Sequence, residues 1–337
     1  MQKIKVFLVD DSKAMLAIQR KFLSATEDME VCGTASEGHE AVEKILAISP
    51  DVVVLDINIP GMNGVDVIRQ LVRTKPVPIL VCSSFTNEGA RISNQALMEG
   101  AVECMFKPAS ASELEKMGPE CVKKLRIVSH VKVIRRIDIR PQTRSKSGSA
   151  NLQKSGKVIV IGSSTGGPMT LLKFFNALPD SVSAPILIAQ HMPEKFTTIL
   201  AEELDSVSHY KVTEARNGDD IMENRVLIGQ GGHDMLVTMD GKILIGTYSE
   251  EAHPSVDVLF ETAAAAFGNK TVGIILTGMG SDGTKGASRI KDGGGLILAE
   301  SVDTAILPSM PSSIINSGFS DFSAPAEEIA GSIKRFL

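Results

Sequence analysis

Residues 160–168 read VIGSSTGGP and place two serines in a glycine-rich turn. The apolar run KVIVIG leads into this turn and LLKFFNAL follows it, which predicts a strand, a tight turn and a helix. Such a turn can hold a phosphate with backbone N–H groups, or it can expose a serine hydroxyl as a nucleophile. The spacing G-x-S-x-G selects Ser164 as the candidate nucleophile, and Ser163 is expected to pack beneath it.

A phosphate-binding turn is the first alternative. The sequence GSSTGG does not fit the dinucleotide pattern G-x-G-x-x-G, and it lacks the lysine of a Walker loop. A nicotinamide-binding fold also needs an acidic residue at the end of the second strand to bind the ribose. Here the run ILIAQ ends in Gln190 and is followed by His191. The sequence therefore favours the nucleophile over the phosphate site.

A serine nucleophile needs a base that takes its proton and a group that orients the base. His191 follows the apolar run PILIAQ, and Asp282 lies in TGMGSDG after the run VGIIL. Because parallel strands end at the same edge of a sheet, we expect Ser164, His191 and Asp282 to converge there. The chain order Ser, His, Asp differs from the Ser, Asp or Glu, His order of α/β-hydrolases, so that fold is not predicted.

Other residues compete for these roles. A single G-x-S-x-G often occurs by chance, and Asp282 could instead cap the helix that follows it. Three other histidines of this half are alternative bases: His209, which is expected to be solvated, His233 and His253. In the two glycine-rich turns, the backbone N–H groups of Thr165 and Met279 are candidate donors to an oxyanion.

The first half of the chain carries a second set of polar residues. Apolar runs end in polar residues at Asp10–Asp11, Asp56, Ser83–Ser84 and Lys107–Pro108. Helical spacing is found between the runs, over residues 13–25, 37–47, 64–73, 88–99 and 111–126. This alternation predicts a doubly wound, mostly parallel sheet with these polar residues at one edge. Carboxylates gathered there repel unless a cation lies among them, and their oxygens suit Mg²⁺.

The motifs LVDDS, DVVVLDINIPGMNG, VCSS and FKP resemble the receiver domain of two-component response regulators. The resemblance implies that Asp56 accepts a phosphoryl group, that Ser83 is the switch hydroxyl and that Lys107 contacts the phosphoryl group. The Mg²⁺ ligands that it implies are Asp10, Asp11, Asp56 and the backbone carbonyl of Asn58. Many receivers have an aromatic residue three positions before the lysine, where this chain has Cys104. We therefore expect the activation signal to be relayed differently here.

The motifs IGSSTGGP, QHMP, PSVDVLF and ILTGMGSDG resemble the catalytic domain of chemotaxis protein-glutamate methylesterases. The order receiver, linker, esterase is also that of the family. The resemblance implies that Ser164 is the nucleophile, His191 the general base and acid, and Asp282 the carboxylate that orients it. The family often has Pro-Gly in place of Gln230–Gly231 and Arg in place of His253. Substrate preference is the property that these two departures affect.

The same resemblance implies a substrate and partners. The substrate is a glutamate γ-methyl ester on the cytoplasmic domains of chemoreceptors, with methanol as a product, and glutamine deamidation is the related second reaction. A chemotaxis histidine kinase is the expected phosphodonor. In the resting state the receiver is expected to cover the active-site edge, and phosphorylation of Asp56 to open it.

Length and composition set the wider limits. The 337 residues, of which 43% are hydrophobic, predict two domains, and the alternation of strands and helices predicts that both are α/β. The two resemblances imply a receiver over 1–126 and a Rossmann-like esterase domain over 157–337, joined by a polar and basic linker over 127–156. A formal net charge of −5 and the absence of tryptophan argue against nucleic-acid binding. The four cysteines match no zinc or C-x-x-C pattern and are expected to be buried free thiols.

No apolar stretch approaches the roughly 20 residues of a membrane span. The apolar run near the N-terminus is too short for a signal peptide, so we expect a cytoplasmic monomer without membrane insertion. No cofactor is expected in the second domain. Two functions of other classes remain open, namely a response regulator whose second half binds phosphate or nucleotide without hydrolysis, and a phosphate sink or scaffold that performs no chemistry.

Overall fold

The computed structural model describes residues 3–84, 86–108, 110–131, 133, 156–180, 182–249 and 253–337. The chain divides into two compact units, Met1–Asp138 and Ile139–Leu337. Each unit is built on a parallel β-sheet with helices between the strands, which confirms the predicted fold class. Most of the predicted linker, 127–156, lies outside the described residues. Its first two residues belong to a helix that ends at Val128, and the predicted domain boundaries stay predictions.

The first unit contains a five-stranded sheet in the order β2-β1-β3-β4-β5. Its strands are β1 (Ile4–Val9), β2 (Met29–Ala35), β3 (Val52–Asp56), β4 (Ile79–Ser83) and β5 (Glu103–Phe106). Its helices are α1 (Lys13–Ser24), α2 (Gly38–Ile48), α3 (Gly64–Thr74), α4 (Asn87–Met98) and α5 (Ala111–Val128). Because β1 and β3 pair directly, Asp10 after β1 and Asp56 at the end of β3 reach the same edge.

Local signals in the sequence explain where these five helices begin. Each is preceded by a residue whose side chain accepts a hydrogen bond from a backbone N–H of the first turn, which satisfies a donor that lacks a helical partner. These capping residues are Ser12, Glu37, Asn63, Thr86 and Ser110. The helix starts therefore follow from short-range chemistry, and their bounds agree closely with the predicted helical segments.

The second unit contains a seven-stranded parallel sheet in the order β14-β13-β12-β6-β7-β9-β8 and a separate antiparallel hairpin, β10-β11. The strands are β6 (Val158–Ser163), β7 (Ile186–Gln190), β8 (Lys211–Glu214), β9 (Arg225–Ile228), β10 (Asp234–Val237), β11 (Ile243–Gly246), β12 (Thr271–Ile275), β13 (Leu296–Glu300) and β14 (Phe322–Ala324). The helices are α6 (Gly167–Ala177), α7 (Phe196–Val207), α8 (Val256–Phe267), α9 (Thr284–Asp292), α10 (Ser309–Asn316) and α11 (Ala326–Ser332). The hairpin turns at Asp240–Gly241, and Asp-Gly is a dipeptide typical of tight hairpin turns.

The central strand β6 lies between β7 and β12. All six of its residues are buried, as expected for a strand covered on both faces by helices. Gly162 in this strand allows a close approach, because a Cβ there would lie 2.2 Å from Cγ1 of Val256 at the start of α8. The first turn of α8 therefore packs directly against the strand that precedes Ser164.

No helix among the described residues has both the length and the apolar character needed to cross a membrane. All four cysteines are free thiols. Cys82, Cys104 and Cys121 are buried as predicted, whereas Cys32 is partly exposed.

The close approach at Gly162 makes a prediction about stability. Gly162→Ala should lower the free energy of unfolding of the second unit by about 1–3 kcal/mol, because the added methyl group forces α8 away from the sheet. Gly331→Ala is the matched control, since Gly331 lies in α11 with no atom within 4 Å of an added Cβ. Calorimetric unfolding of both variants tests the prediction, and equal effects of the two substitutions would contradict it.

Candidate active site

Ser164 lies at the turn between β6 and α6. Its backbone N–H donates to the Thr277 carbonyl at 3.0 Å, and its carbonyl accepts from Gly167 N–H at 2.7 Å. Gly166 has a φ of +79°, a left-handed conformation that glycine adopts at little cost. These contacts make a tight strand-to-helix turn, which is the geometry that G-x-S-x-G predicts.

His191 follows β7 and lies beside this turn. Its Nδ1 is 3.1 Å from Ser164 Oγ, and its Nε2 is 2.7 Å from Asp282 Oδ2. Both ring nitrogens therefore have partners, and a flipped ring would place carbon atoms at both contacts. With Asp282 ionised, the proton is assigned to Nε2, which leaves Nδ1 as the acceptor that faces the Ser164 hydroxyl.

Asp282 is held by the N-terminus of α8. Its oxygens accept hydrogen bonds from Val256 N–H at 2.8 Å, Asp257 N–H at 2.9 Å and Ser255 Oγ at 3.3 Å. Burial alone would raise the pKa of Asp282, but the hydrogen bond from His191 and those from the two amides outweigh it and hold the pKa below its usual range. The first turn of α8 also has a positive electrostatic potential, which favours the carboxylate. Asp282 therefore stays ionised beside the imidazole.

The structure thus brings Ser164, His191 and Asp282 together at one sheet edge, although their catalytic roles remain predictions. The competing histidines have other partners. His253 Nδ1 contacts Asp234 Oδ1 at 2.8 Å, and His233 Nδ1 lies 3.3 Å from the Gly231 carbonyl. The expectation that His209 is solvated is wrong, because its side chain is only 10% exposed and lies 2.8 Å from Asp180.

Asp282 does not cap the helix that follows it, which was the competing interpretation. Asp257 caps α9 instead, since it accepts a hydrogen bond from Gly286 N–H in the first turn of that helix at 2.7 Å. Burial raises the pKa of Asp257 to about 6, and the charge of Asp282 adds to the rise. The motif PSVDVLF therefore fixes both α9 and the carboxylate beside His191.

The two turns that carry the proposed oxyanion donors are tied to each other. Thr277 Oγ1 donates to the Thr165 carbonyl at 3.0 Å, and Gly278 N–H donates to the Leu307 carbonyl at 2.9 Å. Among the described residues, Met279 N–H has no hydrogen-bond acceptor. The assignment of Thr165 and Met279 as oxyanion donors stays a prediction, and the rigid turns are compatible with it.

Sequence reasoning missed two buried polar side chains beneath these turns. Glu300, at the end of β13, accepts a hydrogen bond from Thr277 N–H at 2.8 Å. Gln190, at the end of β7, accepts a hydrogen bond from Ser163 Oγ at 2.6 Å, and Ser163 lies buried as predicted. Glu300 and Gln190 are each the polar last residue of an otherwise apolar strand, and that is the one signal that could have identified them.

In the first unit, the acidic residues at the strand ends converge as well. Asp10, Asp11 and Asp56 offer carboxylate oxygens that all lie within 4.8 Å of one another. Like charges at this distance repel, and oxygen donors suit Mg²⁺, so these residues fit a magnesium ion. Asn58 N–H donates to Asp56 Oδ1 at 3.1 Å, which places the predicted carbonyl ligand of Asn58 in the adjoining turn.

Lys107 connects two of these carboxylates. Its Nζ lies 2.7 Å from Asp56 Oδ2 and 2.8 Å from Asp10 Oδ2. Burial would lower the pKa of Lys107, but the two carboxylates outweigh it and raise the pKa, so the side chain stays charged. The ammonium is therefore placed to contact a phosphoryl group on Asp56, as the sequence predicts.

The hydroxyl of Ser83, which is predicted to be the switch residue, has a partner that the sequence did not suggest. Ser83 Oγ lies 2.6 Å from Ser93 Oγ in α4, and both side chains are buried. Cys104 occupies the usual aromatic position, and burial raises the pKa of its thiol to about 12. Ser93 thus links the strand end that carries Ser83 directly to a helix of this unit.

Each half of the chain matches a known protein family. Residues 6–118 match the response regulator receiver domain family, and residues 159–333 match the family described as CheB methylesterase. The chain is 38% identical to the protein-glutamate methylesterase/protein-glutamine glutaminase of Thermotoga maritima, over 97% of this chain and 96% of the relative. It is 35% identical to the Pyrococcus abyssi protein of the same name, over 99% of this chain and 94% of the relative.

A solved structure is also similar to the second unit. The crystal structure of the Thermotoga maritima CheB methylesterase catalytic domain matches with a TM-score of 0.52 and 39% identity. The match covers 54% of this chain and 100% of that domain. The parallel-sheet unit with Ser164 therefore has the fold of that catalytic domain.

The environment of Glu300 predicts how stability depends on pH. Burial raises the pKa of Glu300 from 4.5 to about 7, so the folded state binds this proton more tightly than the unfolded state. The free energy of unfolding should therefore fall as pH rises from about 4.5 to about 7, by a few kcal/mol at most. Glu300→Gln should remove this pH dependence of stability. The melting temperature of the variant minus that of the wild type should therefore increase between about pH 5 and about pH 8.

The exposed Glu328 of α11 provides the matched control. Glu328→Gln should leave the difference in melting temperature nearly constant over the same pH range, because its side chain is exposed to solvent in the folded chain. A constant difference for Glu300→Gln as well would show that Glu300 does not titrate in this range.

Proposed function

This chain belongs to the CheB methylesterase family, and from that membership we propose that it is a serine hydrolase that removes the methyl group from glutamate γ-methyl esters of chemoreceptors. The observation that carries the proposal is the position of His191, whose two ring nitrogens contact Ser164 Oγ at 3.1 Å and Asp282 Oδ2 at 2.7 Å. A nucleophile, a base and a group that orients the base are the parts that acyl transfer needs.

The first half of the reaction acylates Ser164. His191 Nδ1 takes the hydroxyl proton as Ser164 Oγ attacks the ester carbonyl carbon, and Asp282 stabilises the imidazolium that forms. Backbone N–H groups of Thr165 and Met279 would stabilise the oxyanion of the tetrahedral intermediate. When this intermediate collapses, the ester C–O bond breaks and His191 returns the proton to the departing oxygen, so methanol leaves.

The second half restores the enzyme. His191 takes a proton from water as the water oxygen attacks the acyl carbon, and it then gives that proton to Ser164 Oγ as the acyl bond breaks. The products are a free glutamate carboxylate, which releases its own proton, and the original hydroxyl. A glutamine side chain can follow the same path with ammonia as the leaving group, and the relatives' names include protein-glutamine glutaminase.

The first unit is proposed to control this activity through phosphorylation of Asp56. The expected donor is a chemotaxis histidine kinase. Mg²⁺ would be held by Asp10, Asp11, Asp56 and the Asn58 carbonyl, and it would offset the charge of the phosphoryl oxygens. The ammonium of Lys107 lies 2.7 Å from Asp56 and would contact the same oxygens.

Release of α4 is the proposed start of the signal. In the unphosphorylated chain the Ser83 hydroxyl pairs with Ser93 of α4 at 2.6 Å. A phosphoryl group on Asp56 presents strong acceptors that compete for the same hydroxyl. Loss of the Ser83–Ser93 contact would weaken the hold of β4 on α4, a route that does not need an aromatic side chain at Cys104. We expect this change to end the inhibition of the esterase domain by the receiver.

Methanol release from methylated receptor fragments tests the chemistry. Ser164→Ala should lower kcat by about 10⁴-fold or more, because it removes the hydroxyl that contacts His191 Nδ1. Ser206→Ala is the matched control and should keep the activity, since this exposed hydroxyl near the end of α7 donates to the Glu203 carbonyl. Equal release by the wild type and Ser164→Ala would remove Ser164 as the nucleophile.

Activation by a small phosphoryl donor tests the control. The donor should raise methanol release by the wild type, and Asp56→Asn should abolish the increase while keeping the basal rate. Addition of a chelator that removes Mg²⁺ should abolish the same increase, because the acidic cluster then lacks its cation. An increase that persists in Asp56→Asn would contradict control through this residue.

A further inference from the structure

The side chain of Gln190 links the backbone of the nucleophile to that of the base. It is 1% exposed and lies beneath the turn that carries Ser164. Its Nε2 donates to the Ser164 carbonyl at 2.8 Å and to the His191 carbonyl at 3.2 Å. One amide group therefore contacts both residues whose side chains must meet for proton transfer.

The orientation of this amide follows from its neighbours. The Ser163 hydroxyl lies 2.6 Å from Oε1 and donates to it. A flipped amide would place Oε1 against two carbonyl oxygens, which offer no proton. Ser163 therefore fixes which end of the Gln190 amide faces the two carbonyls.

Gly167, at the start of α6, leaves the space that the Gln190 side chain occupies. A Cβ on Gly167 would lie 1.8 Å from Gln190 Oε1, so only glycine leaves room for the amide. Gly167 N–H itself donates to the Ser164 carbonyl at 2.7 Å. The Ser164 carbonyl thus accepts one hydrogen bond from the helix start and one from the neighbouring strand.

These contacts lie just where the regular sheet ends. The last backbone contact between β6 and β7 runs from His191 N–H to the Ser163 carbonyl at 3.0 Å. Beyond this hydrogen bond the two strands lead into different turns. Gln190 binds the first backbone carbonyl of each turn, that of Ser164 and that of His191. Proton transfer needs the two side chains at hydrogen-bond distance, and a displacement of about 1 Å can cost about 10²-fold in rate.

We propose that Gln190 is a positioning residue that sets the distance between Ser164 and His191 by binding both of their backbone carbonyls. This inference rests on the proposed function, because it assumes that Ser164 and His191 react as nucleophile and base. Gln190 itself touches no reacting atom, so its loss should lower kcat and leave KM for the receptor fragment nearly unchanged.

Two substitutions of similar size separate positioning from simple filling of space. Gln190→Met keeps the volume but donates no hydrogen bond, so kcat should fall by about 10²-fold at every pH. Gln190→Glu can donate one hydrogen bond when protonated and none when ionised, and the ionised form is repelled by both carbonyl oxygens. Its rate relative to that of the wild type should therefore decline as pH rises.

The test measures methanol release by the full chain from about pH 5.5 to about pH 9, with thermal melting recorded at each pH. Relative to the wild type at each pH, Gln190→Met should be slower by a constant factor, and Gln190→Glu should become progressively slower as pH rises. Asn176→Leu is the matched control, since it removes an amide-to-carbonyl hydrogen bond of 2.8 Å within α6 away from the site. It should retain the wild-type profile.

The outcomes distinguish this inference from the function on which it rests. If Ser164→Ala is inactive while both Gln190 variants stay within about threefold of the wild type with an unchanged profile, Gln190 does not position the pair. If Ser164→Ala remains active, the proposed function fails first. If Gln190→Met does not fold, the profile of Gln190→Glu decides, provided that its alkaline loss is reversible and its melting temperature stays above the assay temperature.

Discussion

The candidate active site depends on one interaction, the binding of the Asp282 carboxylate by the N-terminus of α8. Amides of Val256 and Asp257 hold this carboxylate ionised, and the carboxylate in turn holds the imidazole of His191 at 2.7 Å. α8 reaches this position because Gly162 lets its first turn pack against β6. A packing constraint in the core therefore determines the electrostatics of the site, since a shift of α8 would move the acceptor of the imidazole proton.

The two units apply the same physical rule to different chemistry. Apolar strands bury their length between helices, and polar side chains are tolerated where parallel strands end. In one unit this edge gathers carboxylates and an ammonium, a setting for phosphoryl transfer with Mg²⁺. In the other it gathers a hydroxyl, an imidazole and a carboxylate, the groups of acyl transfer. One architecture can therefore supply both a switch and an esterase within a single chain.

The sequence predicts the site residues that follow strands and the residues that cap helices. It does not predict hydrogen-bond partners that only the tertiary structure brings together. Ser164, His191 and Asp282 are predictable because each follows an apolar run, and such runs end together in a parallel sheet. Gln190 and Glu300 also close apolar runs, but nothing in the chain reveals that their partners are the turns of Ser164 and Thr277. His209 illustrates the opposite error, since its polar surroundings suggest solvent although the fold places it against Asp180.

Site-resolved covalent labelling can determine whether Ser164 is a nucleophile activated by His191. The full chain would be treated with a serine-reactive fluorophosphonate, and the modified peptide would be identified by mass spectrometry. We expect a single adduct on Ser164 that forms at least about 10²-fold more slowly in His191→Gln. An adduct on another residue, or labelling of Ser164 at the same rate without the imidazole, would show that His191 does not activate Ser164.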